Sequence, residues 1–214
     1  MKSIKTLYIS LLTLAFVVTI NAQPFVQRLK NITFIFGLSE HLVIDNGKEY
    51  QLKFDTKNWN LMPFPSKISA EAFLKKGWAL QTEFAYSSYK SDKLFVIDNV
   101  IQTKDNSFFS ADFSIRYHLE SLVLHHGFFD PYITAGYGFT YRSGVNITQT
   151  STGTNNLGLG CNFWVYKGFG INLQSLGKFA LKGGVKSNYA HHSIGIVYKL
   201  KPLSGKGVLP KSTK

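Results

Sequence analysis

The chain has 214 residues and a formal net charge of +12, enough length for one ordinary domain or a small barrel. Aromatic residues make up 15% of it and glycine occurs 18 times, a composition that favours β-structure. Cys161 is the sole cysteine, which excludes an intrachain disulfide. Beyond the N-terminus no apolar run approaches the ~20 residues of a spanning helix, so the mature chain is either soluble or crosses a membrane as strands.

The first segment stands apart. Lys2 and Lys5 precede an apolar run from Leu7 to Ile20, and small Ala22 occupies the expected cleavage point before Gln23. Residues 1–22 read as a secretory signal peptide. Export, and the lack of any strand with a basic face, set nucleic acid aside as a partner. Anionic lipopolysaccharide or acidic surface polymers suit the positive balance better.

From Asn31 a period of two takes over, the mark of strands whose successive side chains point to opposite faces. In the first strand Ile32, Phe34, Phe36 and Leu38 alternate with Thr33, Ile35, Gly37 and Ser39. A polar loop follows over 45–65. The second strand sets Ile68, Ala70, Ala72 and Leu74 against Ser69 and Glu71, and Lys75-Lys76-Gly77 turns the chain. In the third, Trp78, Leu80, Thr82, Phe84 and Tyr86 oppose Ala79, Gln81, Glu83, Ala85 and Ser87. Residues 90–106 are a second polar loop, within which Leu94 to Ile101 could extend the hairpin. The fourth strand places Phe109, Ala111, Phe113, Ile115 and Tyr117 opposite Ser110, Asp112, Ser114, Arg116 and His118. The connection 119–129 carries a Leu-Val-Leu core that suggests a helical turn or a covered segment.

The fifth strand, Pro131 to Tyr141, has Ile133, Ala135, Tyr137, Phe139 and Tyr141 on its apolar side and Thr134, Gly136, Gly138 and Thr140 on the other. A loop over 143–154 leads to a hairpin that turns at Tyr166-Lys167-Gly168. Its first arm separates Leu157, Leu159, Cys161, Phe163 and Val165 from Asn156, Gly158, Gly160, Asn162 and Trp164. Its second separates Phe169, Ile171 and Leu173 from Gly170, Asn172 and Gln174. Residues 180–190 form a further loop. The last strand sets His192, Ile194, Ile196, Tyr198 and Leu200 against His191, Ser193, Gly195, Val197 and Lys199. Residues 201–214 are a basic tail expected to be disordered.

The sum is eight strands of about 8–12 residues, with long polar connections alternating with short ones. A soluble up-and-down barrel would hide its apolar face and cover the other with Lys and Glu. Here the second face is mainly Gly, Ser, Thr, Asn, Gln and Ala with isolated charges, which suits a narrow filled interior. Aromatic residues gather at strand ends, as interfacial girdles require. Closure satisfies every backbone donor and acceptor, which an open sheet in lipid cannot do. The expected fold is an all-β, eight-stranded antiparallel up-and-down transmembrane β-barrel over residues 23–200, in the outer membrane.

Several stretches also carry a resemblance. Phe129-Asp130-Pro131-Tyr132-Ile133-Thr134-Ala135-Gly136-Tyr137-Gly138, Asn156-Leu157-Gly158-Leu159-Gly160 and His192-Ser193-Ile194-Gly195-Ile196-Val197-Tyr198 are similar to the N-terminal barrel of OmpA-family proteins of Bacteroidota. Phe54-Asp55-Thr56 through Trp59 and Pro63-Phe64-Pro65-Ser66 add to the match, which spans about Asn31 to Leu200. Many such proteins continue into a peptidoglycan-binding domain. This chain stops soon after its last strand, so peptidoglycan tethering through that domain does not carry over. The final strand also resembles the signal read by the barrel-assembly machinery, at Ser193, Gly195, Tyr198 and Leu200, with Leu200 where an aromatic is usual.

Alternation points Glu71, Glu83, Asp112, Arg116, Lys178 and Lys199 into the lumen, where charges must pair because an isolated buried ion costs several kcal/mol. Glu83 and Arg116, on neighbouring strands, are expected to form a central pair. These groups either plug the lumen or line a gated pore. His191-x-Ser193 has the spacing of a base and a nucleophile, as in outer-membrane enzymes that cut lipid A, yet it faces the lumen and lacks a carboxylate to orient the histidine. His125-His126 and nearby His118 lack further ligands, so no metal centre is assigned. Gly136-x-Gly138 and Gly158-x-Gly160 lie inside strands and are no phosphate loops; they let the wall curve and make room for lumen side chains. The expectation is a non-enzymatic barrel without cofactor, with a role in envelope integrity or surface interaction and an envelope or surface protein as a possible partner. A narrow channel for ions or small solutes is the alternative, and a lipid-modifying enzyme comes third.

Overall fold

A computed structural model describes residues 32–44, 62, 64–89, 96–97, 100–101, 106–119, 127–143, 151–181 and 188–200. The expected signal peptide over 1–22 and the expected tail over 201–214, most of the 45–65 stretch, the centre of the 119–129 connection and His125-His126 lie outside the described residues.

The strands are β1 (Thr33–Ile44), β2 (Lys67–Lys75), β3 (Trp78–Tyr89), β4 (Val96–Ile97), β5 (Val100–Ile101), β6 (Asn106–His118), β7 (Phe129–Arg142), β8 (Ser151–Tyr166), β9 (Phe169–Ala180) and β10 (Tyr189–Leu200). Eight of them close into one antiparallel barrel in the order β1-β10-β9-β8-β7-β6-β3-β2. Each strand pairs with its neighbour in sequence, and β1 seals the wall against β10, with Ile35 opposite Lys199 and Val43 opposite His191. The fold is the one the alternation predicts. Among the described residues no helix is long and apolar enough to cross a membrane.

Several strand boundaries differ from the sequence reading. β1 continues past Ser39 to Ile44, β8 begins at Ser151 inside the expected 143–154 loop, and β9 and β10 reach Ala180 and Tyr189. Ser151, Gly153 and Asn155 give these ends no apolar signal; pairing with β7, such as Thr140 to Thr152, holds them in the sheet. Of the Leu94–Ile101 segment the described residues are β4 and β5, which pair with each other in a two-stranded sheet apart from the barrel.

Two of the short connections are two-residue hairpins with one recipe. Lys76 and Gly77 have φ of 53° and 85°, and Lys167 and Gly168 have 40° and 90°. Positive φ at both central residues is the turn whose twist matches the flanking strands. These turns share one end of the barrel with the outer ends of β1 and β10 and with the end of β6 and start of β7; the other connections leave from the opposite end.

The wall is inverted relative to a soluble barrel. Leu159 is 65% exposed and Tyr137 70%, while Lys178 is 0%, Glu71 2% and Asp112 5% exposed. Of the described carboxylates only Glu40 lies on the outward face, where it accepts a hydrogen bond from Met62 N at 3.0 Å.

Candidate functional site

Among the described residues the lumen is where the chain concentrates its chemistry. Three layers stack from the short-turn end to the loop end.

At the short-turn end, Arg116 Nη1 donates to Glu71 Oε2 at 2.8 Å. Both ring nitrogens of His118 are engaged by carboxylates, Nδ1 with Asp130 Oδ1 at 2.7 Å and Nε2 with Glu71 Oε1 at 2.8 Å. Asn162 Nδ2 donates to Asp130 Oδ2 at 3.1 Å, and Asn172 Nδ2 donates to Asn162 Oδ1 at 2.7 Å and to the Tyr132 hydroxyl at 2.8 Å. The Arg116 guanidinium also lies 4.0 Å from the centre of the Tyr132 ring. Lys199 closes this end, its ammonium 3.9 Å above the Trp164 ring.

In the middle, register puts Glu83 directly opposite Asp112 on neighbouring strands. Two carboxylates abreast repel. Each is matched by a lysine from elsewhere in the wall: Lys67 Nζ lies 2.6 Å from Glu83 Oε1, and Lys178 Nζ 2.5 Å from Asp112 Oδ2. Lys67 also donates to Gln174 Oε1 and to Ser193 Oγ, the latter at 2.9 Å. Asn156 Nδ2 donates to Asp112 Oδ1 at 2.8 Å, and Gln174 Nε2 to Glu83 Oε2 at 3.2 Å. Strands on opposite sides of the barrel are thereby tied through its axis.

Glycine on the inward face makes the room. A Cβ on Gly138 would meet Asp112 and Asn156, and one on Gly160 would meet the Tyr132 ring and the backbone of Leu173. At the loop end the filling becomes apolar and aromatic. Val43, Ala85, Phe108 and Tyr189 cluster there, with Phe108 and Tyr189 in edge contact at 5.8 Å.

All six sequence-predicted lumen residues point inward, but their pairing differs from the expected one. Arg116 takes Glu71 as its close partner and reaches Glu83 only at 3.8 Å. The reason is register: Arg116 stands opposite Ala79, four residues nearer the short turn than Glu83. Lys67 and Asp130 were missed because each lies one residue before the start assigned to its strand, although parity already aims both inward. Tyr132 and His41 follow the same parity. His118 belongs to the ion network, with both nitrogens taken. The His191–Ser193 pair faces the lumen, and Ser193 accepts from Lys67 while no His191–Ser193 hydrogen bond forms. Of the last-strand residues, Tyr198 packs on Phe169 at 4.5 Å, Leu200 stands outward opposite Phe34, and Gly195 adjoins Ser39.

No protein-family model matches the sequence, and no curated protein is detectably similar to it. Solved structures do match. The chain is similar to the N-terminal β-barrel domain of Pseudomonas aeruginosa OprF, with a TM-score of 0.50 and 12% identity over 79% of this chain and 98% of that one. It is equally similar to the outer membrane protein OprG from the same organism, at a TM-score of 0.50 and 11% identity over 79% of this chain and 96% of that one. The likeness is one of fold.

Proposed function

We propose that the chain is an outer-membrane β-barrel whose lumen is plugged by its own side chains and whose role is structural or one of surface interaction, in envelope integrity or in docking a protein partner. The observation that carries this reading is the inverted wall, with Leu159 and Tyr137 exposed in mid-strand and Glu71, Asp112 and Lys178 buried. Exposed large apolar side chains recur on every strand of the barrel, a surface that only a lipid environment stabilises. The two similar solved barrels, of which OprG is an outer membrane protein, support the location. Cleavage of residues 1–22, insertion by the barrel-assembly machinery through Ser193, Gly195, Tyr198 and Leu200, and contact with lipopolysaccharide belong to the same reading. So does the OmpA-like, Bacteroidota-type lineage.

A second reading, a narrow gated channel, is favoured by the charged rather than apolar filling, which runs from Lys199 to Lys178. The deciding experiment refolds the mature chain and tests for a heat-modifiable gel shift, then for conductance in planar bilayers. Insertion without conductance supports the plugged barrel. Stable openings altered by Arg116→Ala support the channel, and the loss of both gel shift and insertion overturns the membrane reading.

A further inference from the structure

The loop end of the lumen contains an unexplained cost. His41 and His191 are fully buried, and their rings meet edge-on with centroids 4.9 Å apart. Ser66 Oγ bonds His41 Nδ1 at 2.7 Å and fixes that ring. Among the described residues, His41 Nε2 and both nitrogens of His191 have no hydrogen-bond partner. Buried polar atoms left without a partner are rare and destabilising, so three converging on one spot require a reason.

Their surroundings supply it. Phe108 packs against both rings, at 5.9 Å from His41 and 6.2 Å from His191, and Tyr189 packs on Phe108. Among the described residues the charged groups acting on the pair are cations, Lys67 from β2 and Lys178 from β9, while Arg142 from β7 lies over the neighbouring Tyr189 ring at 4.3 Å. The neighbouring His192 on β10 is a further titratable group. From β3 and β6 the carboxylates Glu83 and Asp112 are already held by Lys67 and Lys178. Among the described residues an imidazolium in this cap would find no free counter-ion.

We propose that His41 and His191 form a proton-operated latch that keeps the loop end of the lumen shut when neutral and releases the Phe108–Tyr189 cap when protonated. The histidines take up protons only as the cap parts and water reaches them. An imidazole in water titrates near pH 6.5, so at pH 5 each released ring favours the open form by roughly 30-fold, and the two together by about 10³-fold. Ordinary carboxylates remain ionised at that pH, so the ion network below need not dissolve. The latch governs access at the loop end, whatever the lumen conducts.

The test uses the refolded mature chain in lipid nanodiscs, its fold checked by gel shift, with NMR signals of Phe108 and Tyr189 followed from pH 8 to 5. The expected result is a reversible transition to a second state with two protons taken up, absent from the His41→Gln/His191→Gln variant. Wild-type protein without a transition overturns the latch, as does an unchanged transition in the double variant. Should the double variant fail to fold, His191→Gln alone retains the His41–Ser66 bond and must lower the uptake to one proton. An unchanged count overturns the proposal.

Discussion

Arg116 shows how much rests on single lumen side chains. It lies between Glu71 and Glu83 and over Tyr132, so its removal takes a cation away from two buried carboxylates. Breaking one side of a buried ion pair costs about 3–5 kcal/mol, whereas replacing both partners with uncharged groups is far cheaper. Arg116→Met should lower stability by about that amount, and Glu71→Gln added to it should restore part of the loss. Urea unfolding in vesicles, followed by gel mobility, checks both. Legibility at this scale was uneven. Parity placed Glu71, Glu83, Asp112, Arg116, Lys178 and Lys199 correctly on the inward face. It could not pair them, because a side chain spanning the lumen answers to the register of strands three positions away, as Lys178 of β9 does with Asp112 of β6.

Strands and turns carry their own lesson. The hairpins at Lys76-Gly77 and Lys167-Gly168 place a lysine at positive φ, a region that asparagine tolerates better. Lys76→Asn and Lys167→Asn should therefore each stabilise the barrel by a few tenths of a kcal/mol, up to about 1 kcal/mol. The unfolding midpoint in neutral lipid reports the change. Central segments of the strands were legible because apolar and polar residues alternate there without a break. Their loop-end extensions were not: Thr152 and Thr154 face inward between Ser151, Gly153 and Asn155, and no face of that run is apolar. Backbone hydrogen bonds to a strand already in place hold such a segment, and periodicity does not register them.

For the molecule as a whole, the decisive property is that the apolar face of the wall points outward, which the proposed membrane location turns toward lipid. From Trp78 to Tyr86 the outward face of β3 runs about 27 Å along the strand, or roughly 20 Å along the barrel axis at a tilt of ~40°, close to the ~25 Å apolar band of such barrels. Leu159 lies in mid-strand on the outward face of β8. Leu159→Arg should destabilise the inserted barrel by about 2–4 kcal/mol. A soluble barrel would tolerate the same change at an exposed site, within about 0.5 kcal/mol. Unfolding of the variant in vesicles separates the two.

By itself the sequence determined the eight strands, their antiparallel succession and the sense of the wall, since a period of two and the short Lys-Gly turns are local properties of the chain. Only the tertiary structure decided that Arg116 belongs to Glu71, that Glu83 and Asp112 stand abreast and draw in Lys67 and Lys178, and that His41 meets His191. Those contacts join residues far apart in the chain, and the stagger fixed when β1 seals against β10 sets which of them share a level.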